Sequence, residues 1–171
     1  MSSEKSPVIH DVNELFKKIE SVRIAMLTTT DDQGQLRSRP MGTIKHGADG
    51  ALYFLTDADS AKVYEVNRDH QVNLSYANPD DNVYVSISGR ANAYRDEAKI
   101  KELWSEPMRA WFPKGQDDPN ITVLKVDIDK GEYWDSPSSF LSQAYGYVRA
   151  LATGERSKDD DVNQHAQVQV K

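Results

Sequence analysis

Val83-Tyr84-Val85-Ser86-Ile87-Ser88-Gly89-Arg90-Ala91-Asn92-Ala93-Tyr94 alternates without a break. Val83, Val85, Ile87, Gly89, Ala91 and Ala93 fall on one face of a strand, and Tyr84, Ser86, Ser88, Arg90, Asn92 and Tyr94 on the other. Its length predicts a bent strand that serves two parts of a curved sheet, with Gly89 as the bend or bulge. Asn78-Pro79-Asp80-Asp81 supplies turn chemistry between it and an earlier strand, Gln71 to Ala77. Further upstream, Ile24 to Thr30 and Leu36 to Ile44 flank Asp31-Asp32-Gln33-Gly34 and read as a hairpin. A turn at His46 to Gly50 leads into the strand Ala51 to Thr56. Ile121 to Ile128 and Glu132 to Trp134 predict two more strands around Asp129-Lys130-Gly131.

Helical spacing appears between these strands and at the ends. Val12, Leu15, Phe16 and Ile19 predict a helix starting near Asp11, which can cap its free N–H groups. Asp57-Ala58-Asp59-Ser60 opens a short helix with Val63 and Val66 inward, ending before His70. Asp96 to Trp104 reads as a helix through Ile100, Leu103 and Trp104. Pro107 to Pro119 holds three of the seven prolines and reads as a loop. A last helix is expected from about Ser138 to Ala152, stopped by Gly154. Residues 1–10 are expected to form a polar, flexible leader, 11–154 a single domain, and 155–171 a tail without periodicity, expected to be disordered. Strands joined by short turns predict a mainly antiparallel sheet with flanking helices, closing toward a barrel; a doubly wound parallel fold is disfavoured.

Composition removes several chemistries. The chain has 171 residues, 38% of them hydrophobic, enough for one core. With 27 acids against 21 bases the net charge is -6, so a general electrostatic grip on nucleic acid is not expected. There is no cysteine, hence no disulfide, thiolate metal site or cysteine nucleophile, as suits a reducing compartment. No apolar run approaches the roughly 18 residues of a membrane helix, and Met1 to Asp11 lacks a secretory signal, so a cytoplasmic protein is expected. His10, His46, His70 and His165 show no metal-ligand spacing. Gly-x-Ser-x-Gly elbow, Gly-rich phosphate loop and Rossmann fingerprint are all missing from the sequence.

Anion-binding features remain. In Arg37-Ser38-Arg39-Pro40-Met41-Gly42 the two arginines point to one side of a strand. Pro40 marks an edge or an irregularity, and Gly42 lets a planar group approach the backbone. Tyr53-Phe54-Leu55-Thr56-Asp57-Ala58-Asp59-Ser60-Ala61-Lys62 sends a strand into a helix N-terminus, where free N–H groups, two hydroxyls and a lysine can converge on a phosphate. Each part also has a plainer reading: Ser60 as an N-cap, Lys62 as a solvated helix charge, the arginines as a wet sheet face.

The order of these pieces, followed by Ser88-Gly89-Arg90-Ala91 and Glu132-Tyr133-Trp134-Asp135, resembles the flavin-binding split-barrel family that includes pyridoxamine 5'-phosphate oxidase. Its general stress protein 26-like branch is the most similar, and the resemblance covers roughly Leu15 to Gly154. It implies a homodimer with FMN between the subunits and FAD as the second candidate. It further implies that Arg39, Pro40, Met41 and Gly42 line the isoalloxazine, and that Leu55 and Thr56 flank the ribityl chain and phosphate. Ser60 and Lys62 then hold the phosphate with help from Arg37 or Arg39, and Trp134 meets the ring from the partner subunit. Trp134 also reads as a core tryptophan, Trp104 as part of a helix stripe and Trp111 as a lid.

Two departures from that family stand out. Ala61 occupies the place of a second basic residue, and Asp135-Ser136-Pro137-Ser138-Ser139-Phe140 replaces the basic, histidine-containing clamp for substrate phosphate. Efficient oxidation of pyridoxamine phosphate is therefore not expected. The leading reading is an FMN-binding general stress protein with oxidoreductase activity on an unknown substrate, a nicotinamide being the candidate donor; no catalytic residue can be assigned. The alternative is a non-catalytic stress protein that sequesters or senses FMN or FAD. A deazaflavin or haem, and a ligand-free domain acting through protein contacts, stand behind these.

Overall fold

Runs of alternating apolar and polar residues become strands, and the helical spacings become helices, in a computed structural model that describes residues 8–9, 12–135, 151 and 164–169. The strands are β1 (Val8–Ile9), β2 (Ile24–Thr30), β3 (Leu36–Gly42), β4 (Lys45–His46), β5 (Leu52–Asp57), β6 (Gln71–Asn78), β7 (Val83–Tyr94), β8 (Ile121–Asp135) and β9 (Gln164–Gln169). The helices are α1 (Val12–Ile19), α2 (Ala61–Arg68) and α3 (Glu97–Leu103), and short 3-10 turns follow at Glu106–Ala110 and Gly115–Asp117. Hydrogen bonding orders the strands β1-β9-β8-β7-β6-β2-β3, with β5 on β8 and β4 on β5. That order has two ends, so the described strands form an open sheet. β1 and β9 run parallel, while the β2–β3, β4–β5, β5–β8 and β8–β9 pairs are antiparallel.

The chain divides into two compact units. One comprises Arg23–Leu74 and Ser88–Asp129. In it, β2 and β3 pair from Ile24 opposite Gly42 to Thr30 opposite Leu36. Gly34 sits at φ 78° in their turn, a conformation that glycine adopts without steric cost. The Asp31 carboxylate accepts the backbone N–H groups of Gln33 at 3.0 Å and Gln35 at 2.8 Å, which fixes that turn. β5 runs along β8 from Leu52 opposite Val126 to Asp57 opposite Ile121. Ile100 and Leu103 of α3 bury themselves with Tyr53, Phe112, Ile121 and Val123. Asp96 caps that helix, its side chain accepting the Lys99 N–H at 2.9 Å.

The other unit comprises Ser75–Ile87 with the described parts of 1–22 and 130–171. Leu15, Phe16 and Ile19 are the buried face of α1. The end of β8 pairs with β9, Lys130 opposite Gln169 and Asp135 opposite Gln164. Lys18 forms an ion pair with Asp135, and its ammonium lies 5.2 Å from the centre of the Tyr133 ring.

Three expectations are corrected, the first being the flexible leader, in which Val8 and Ile9 form β1 and pair with Gln167 and Val168. Asp129-Lys130-Gly131 is no turn: β8 runs unbroken from Ile121 to Asp135. A Cβ at position 131 would stand 2.6 Å from a Leu15 methyl carbon, so this glycine makes room for the helix above it. The tail expected to be disordered contains β9, whose Val168 is fully buried although most of its neighbours are polar. Hydrogen bonding to β8 and β1 satisfies its backbone without an apolar run. The Asp11 cap, the helix from Ser138 and its Gly154 stop lie outside the described residues, apart from helical Leu151.

Gly89 is explained by proximity as well: a Cβ there would meet the Asp127 carbonyl oxygen at 2.3 Å, and backbone cannot swing aside. Gly89→Ala is expected to cost about 1–3 kcal/mol of stability, as overpacking does. Urea denaturation checks this, and a midpoint equal to that of the wild type would refute the close approach.

Candidate functional site

β5 ends in Leu55, Thr56 and Asp57, and α2 begins four residues later. Thr56 is buried although it is polar, and its hydroxyl accepts a hydrogen bond from Lys62 Nζ at 3.0 Å. Burial pushes the Lys62 pKa below its ordinary value; the nearby Arg39 charge pushes the same way, while Asp57 and Glu65 oppose it. Lys62 has thus lost hydration beside a second cation, and among the described residues no carboxylate lies within ion-pair range of it. The N–H groups of Ala61 and Lys62 open α2 and have no intrahelical acceptor, and no acidic residue stands in its first turn. Ser60 occupies the N-cap position in extended backbone, but its hydroxyl donates to the Asp57 carbonyl at 2.7 Å rather than capping the helix. The Asp57 carboxylate is occupied by the Asp59 N–H at 2.8 Å.

β3 brings the arginines. Arg39 Nη2 donates to Glu65 Oε2 at 2.7 Å and its Nη1 to the Thr29 hydroxyl. Thr29 in turn donates to the same Glu65 oxygen at 2.5 Å. Arg37 turns instead to Asp31 in the hairpin loop, Nε to Oδ2 at 3.0 Å, and stays largely exposed. Arg39, Thr56 and Lys62 are therefore brought together, with Thr29 and Glu65 beside them, and Arg37 is held apart by its own partner. Met41 is buried, and Pro40 and Gly42 are exposed. A Cβ on Gly42 would meet nothing within 4 Å, so no described neighbour requires a glycine there. Leu55 is half-buried on β5.

Trp134 belongs to the other unit, half-buried near the end of β8 and opposite His165 in register. Trp104 terminates α3 and packs on Phe112, ring centres 6.5 Å apart, whereas Trp111 is 76% exposed. His70 is satisfied by the Ala91 carbonyl at 2.9 Å. Among the described residues no group of three or more His, Asp or Glu is placed to hold a metal, and no helix is long and apolar enough to cross a membrane.

Two members of the cluster were absent from the sequence reading. Glu65 lies three residues after Lys62, a spacing that puts both on one helix face. Thr29 stands opposite Arg37 in the hairpin and diagonal to Arg39, so all three share a sheet face.

An open, mainly antiparallel sheet with a strand-to-helix turn of this kind defines the split-barrel class. The model of the family described as pyridoxamine 5'-phosphate oxidase like matches residues 10–159, and the chain belongs to that family. It is 25% identical over 159 residues to protein bli-3 of Neurospora crassa, covering 87% of this chain and 76% of that one. The general stress FMN/FAD binding protein of Xanthomonas citri has a similar structure, with TM-score 0.64 and 28% identity, over 74% of this chain and 89% of its own. General stress protein 26 of Bacillus anthracis shares the fold, with TM-score 0.64 and 22% identity, over 73% of this chain and 94% of its own.

The hairpin that carries Arg39 should be acid-sensitive. The N–H of Gln35 holds the Asp31 carboxyl below its usual 3.8 against the opposing effect of burial, with Arg37 and the Gln33 N–H assisting. A lowered folded pKa gives stability that is complete above the unfolded value and lost as pH falls through the folded one. Asp31→Asn is expected to destabilise the protein at neutral pH, and the gap to wild type should shrink below about 3.8. A gap constant through that range in urea denaturation would overturn the assignment.

Proposed function

We propose that this chain is a cytoplasmic flavin-binding stress protein that holds FMN, and also accepts FAD, as a homodimer. The carrying observation is the partly desolvated Lys62 ammonium, which has a hydroxyl partner but, among the described residues, no carboxylate in ion-pair range, beside Arg39 at the start of α2. A phosphate there would restore to Lys62 the stabilisation that burial removes. Lys62, Thr56, Ser60 and the first N–H groups of α2 hold the phosphate in this reading, with Arg39 at its side and Arg37 near the hairpin loop. Leu55 flanks the ribityl chain, and Arg39, Pro40, Met41 and Gly42 line the ring. Open space at Gly42 suits a planar group lying against the backbone.

Dimerisation is supported by the outward face of the hairpin. Ile24 and Met26 are 53% and 41% exposed, and Pro40 lies directly opposite Met26, an apolar surface of the kind that a second subunit covers. Trp134 of the partner subunit is the aromatic wall of the site in this reading.

Bound flavin would supply hydride or electron transfer, and the chain's residues would orient it and polarise its surroundings. The electron donor is proposed to be a nicotinamide and the acceptor is unassigned. A second reading, storage or sensing of flavin without turnover, is favoured by the acidic and hydroxyl-bearing Asp135-Ser136 where the vitamin oxidases carry a basic clamp. Either reading predicts that pyridoxamine phosphate is not oxidised at enzyme-like rates of about 1 per second or more. An oxygen-consumption assay checks this.

The cofactor assignment is tested by titrating FMN and riboflavin into wild type and Lys62→Ala. FMN affinity should fall about tenfold or more, because a charge-assisted phosphate contact is lost, and riboflavin affinity should stay unchanged. Equal weakening of both would remove Lys62 from the phosphate site. In the same titration Trp134→Ala should relieve quenching of flavin fluorescence, and unchanged quenching with intact binding would return Trp134 to the core.

A further inference from the structure

One carboxylate sits among the cations of the cluster. The Glu65 side chain is 13% exposed, and its Oε2 accepts both Arg39 Nη2 at 2.7 Å and the Thr29 hydroxyl at 2.5 Å. Thr29, its proton committed to Glu65, accepts from Arg39 Nη1. The three groups close a ring of hydrogen bonds, so Glu65 already neutralises Arg39. Arg37 is paired with Asp31, and Ala61 contributes no charge. Arg39, Lys62 and Glu65 together therefore sum to one positive charge instead of two, and Asp57, its carboxylate held by the Asp59 N–H, weakens the field at Lys62 further.

We infer that Glu65 sets which phosphorylated flavin this site prefers, by cancelling the charge of Arg39 and so taking one positive charge out of the cluster. The inference rests on the flavin reading above. A phosphate monoester, such as the end of FMN, carries about -1.5 to -2 near neutral pH. Each phosphate of the FAD pyrophosphate carries one negative charge. A single positive charge balances the latter locally and leaves the former partly uncompensated, where partial burial makes an uncompensated charge costly. Glu65 thus narrows the advantage that FMN would have over FAD in a site of two free cations. Its charge acts on the phosphate and not on the ring, because the oxidised ring that Arg39 also lines in this reading is uncharged, whereas the phosphate is anionic.

Glu65→Gln tests this, since glutamine keeps the length and a carbonyl acceptor for Arg39 and Thr29 while removing the charge. Dissociation constants for FMN, FAD and riboflavin are measured by fluorescence titration in both proteins. FMN is expected to tighten about tenfold relative to FAD, with riboflavin unchanged. An FMN-to-FAD ratio that stays constant, or that falls because Arg39 has lost its anchor, overturns the inference, as does an equal change in riboflavin. If the wild-type chain binds no flavin, the flavin reading fails and the inference with it. Binding by the wild type with an unmoved ratio in the variant defeats the inference alone. Should Glu65→Gln lose its cooperative unfolding transition, Ala61→Arg adds a positive charge from an exposed position without touching Glu65, and the same ratio is read with the same outcomes.

Discussion

The Arg39 guanidinium is the joint between the β2–β3 hairpin and helix α2. One of its nitrogens reaches across to Thr29 on β2, and the other reaches Glu65 on the helix. Arg68, one turn further along α2, donates to the carbonyls of Thr30 and Asp31 where the hairpin begins to turn. The helix therefore grips the hairpin at two levels, and the turn is itself braced by the Asp31 carboxylate. Removing one partner from a buried ion pair costs several kcal/mol because a charge is left unpaired. Arg39 and Glu65 retain some exposure, so water lowers that cost here. The geometric consequence remains. Segment Arg39 to Gly42 and the first turn of α2 are set relative to each other by side chains that also determine the charge of the cluster.

Charge operates on two scales in this molecule. The whole chain is acidic, with net charge -6, and its distant field repels anions. That field is screened within about 8 Å at physiological ionic strength, whereas Lys62, which has no ion-pair partner among the described residues, acts at contact distance in a partly buried setting. Local attraction then exceeds the global repulsion for an anion small enough to enter. A nucleic acid backbone spreads its charge along a much longer surface and gains no such local advantage. In the flavin reading the same acidic chain selects a compact phosphate and refuses a polyanion.

How far the sequence could be read depended on the range of the interactions involved. Strand β7 follows directly from period-two alternation, β2, β3, β5 and β6 from short runs of strand-forming residues between turn signals, and α1, α2 and α3 from helical spacing, because these signals lie within a few consecutive residues. The unbroken β8 was hidden by Asp129-Lys130-Gly131, whose turn-like composition yields to Leu15 packing over Gly131 from more than a hundred positions away. β9 was hidden for a related reason: it is held by backbone pairing to β1 and β8, which leaves little trace in side-chain pattern. At the candidate site, Lys62, Thr56 and Arg39 carry recognisable chemistry at a recognisable turn. Glu65 resembles any helix carboxylate until the hairpin places Arg39 and Thr29 against it.

The strand glycines show where packing alone stops explaining the chain. Glycine weakens a strand relative to alanine by roughly 0.5–1 kcal/mol, so each one calls for a compensating reason. At Gly89 that reason is the Asp127 carbonyl and at Gly131 it is Leu15. Gly42 has no such neighbour within 4 Å, and it is exposed at the end of β3 beside buried Met41. A side chain here would project on the face that Pro40 presents, opposite that of Arg39 and Met41. In the flavin reading the compensation comes from the ligand: a flat ring can lie against bare backbone at position 42, and a Cβ would hold it off. The cost of that glycine to the unliganded fold is then recovered when the ring is bound.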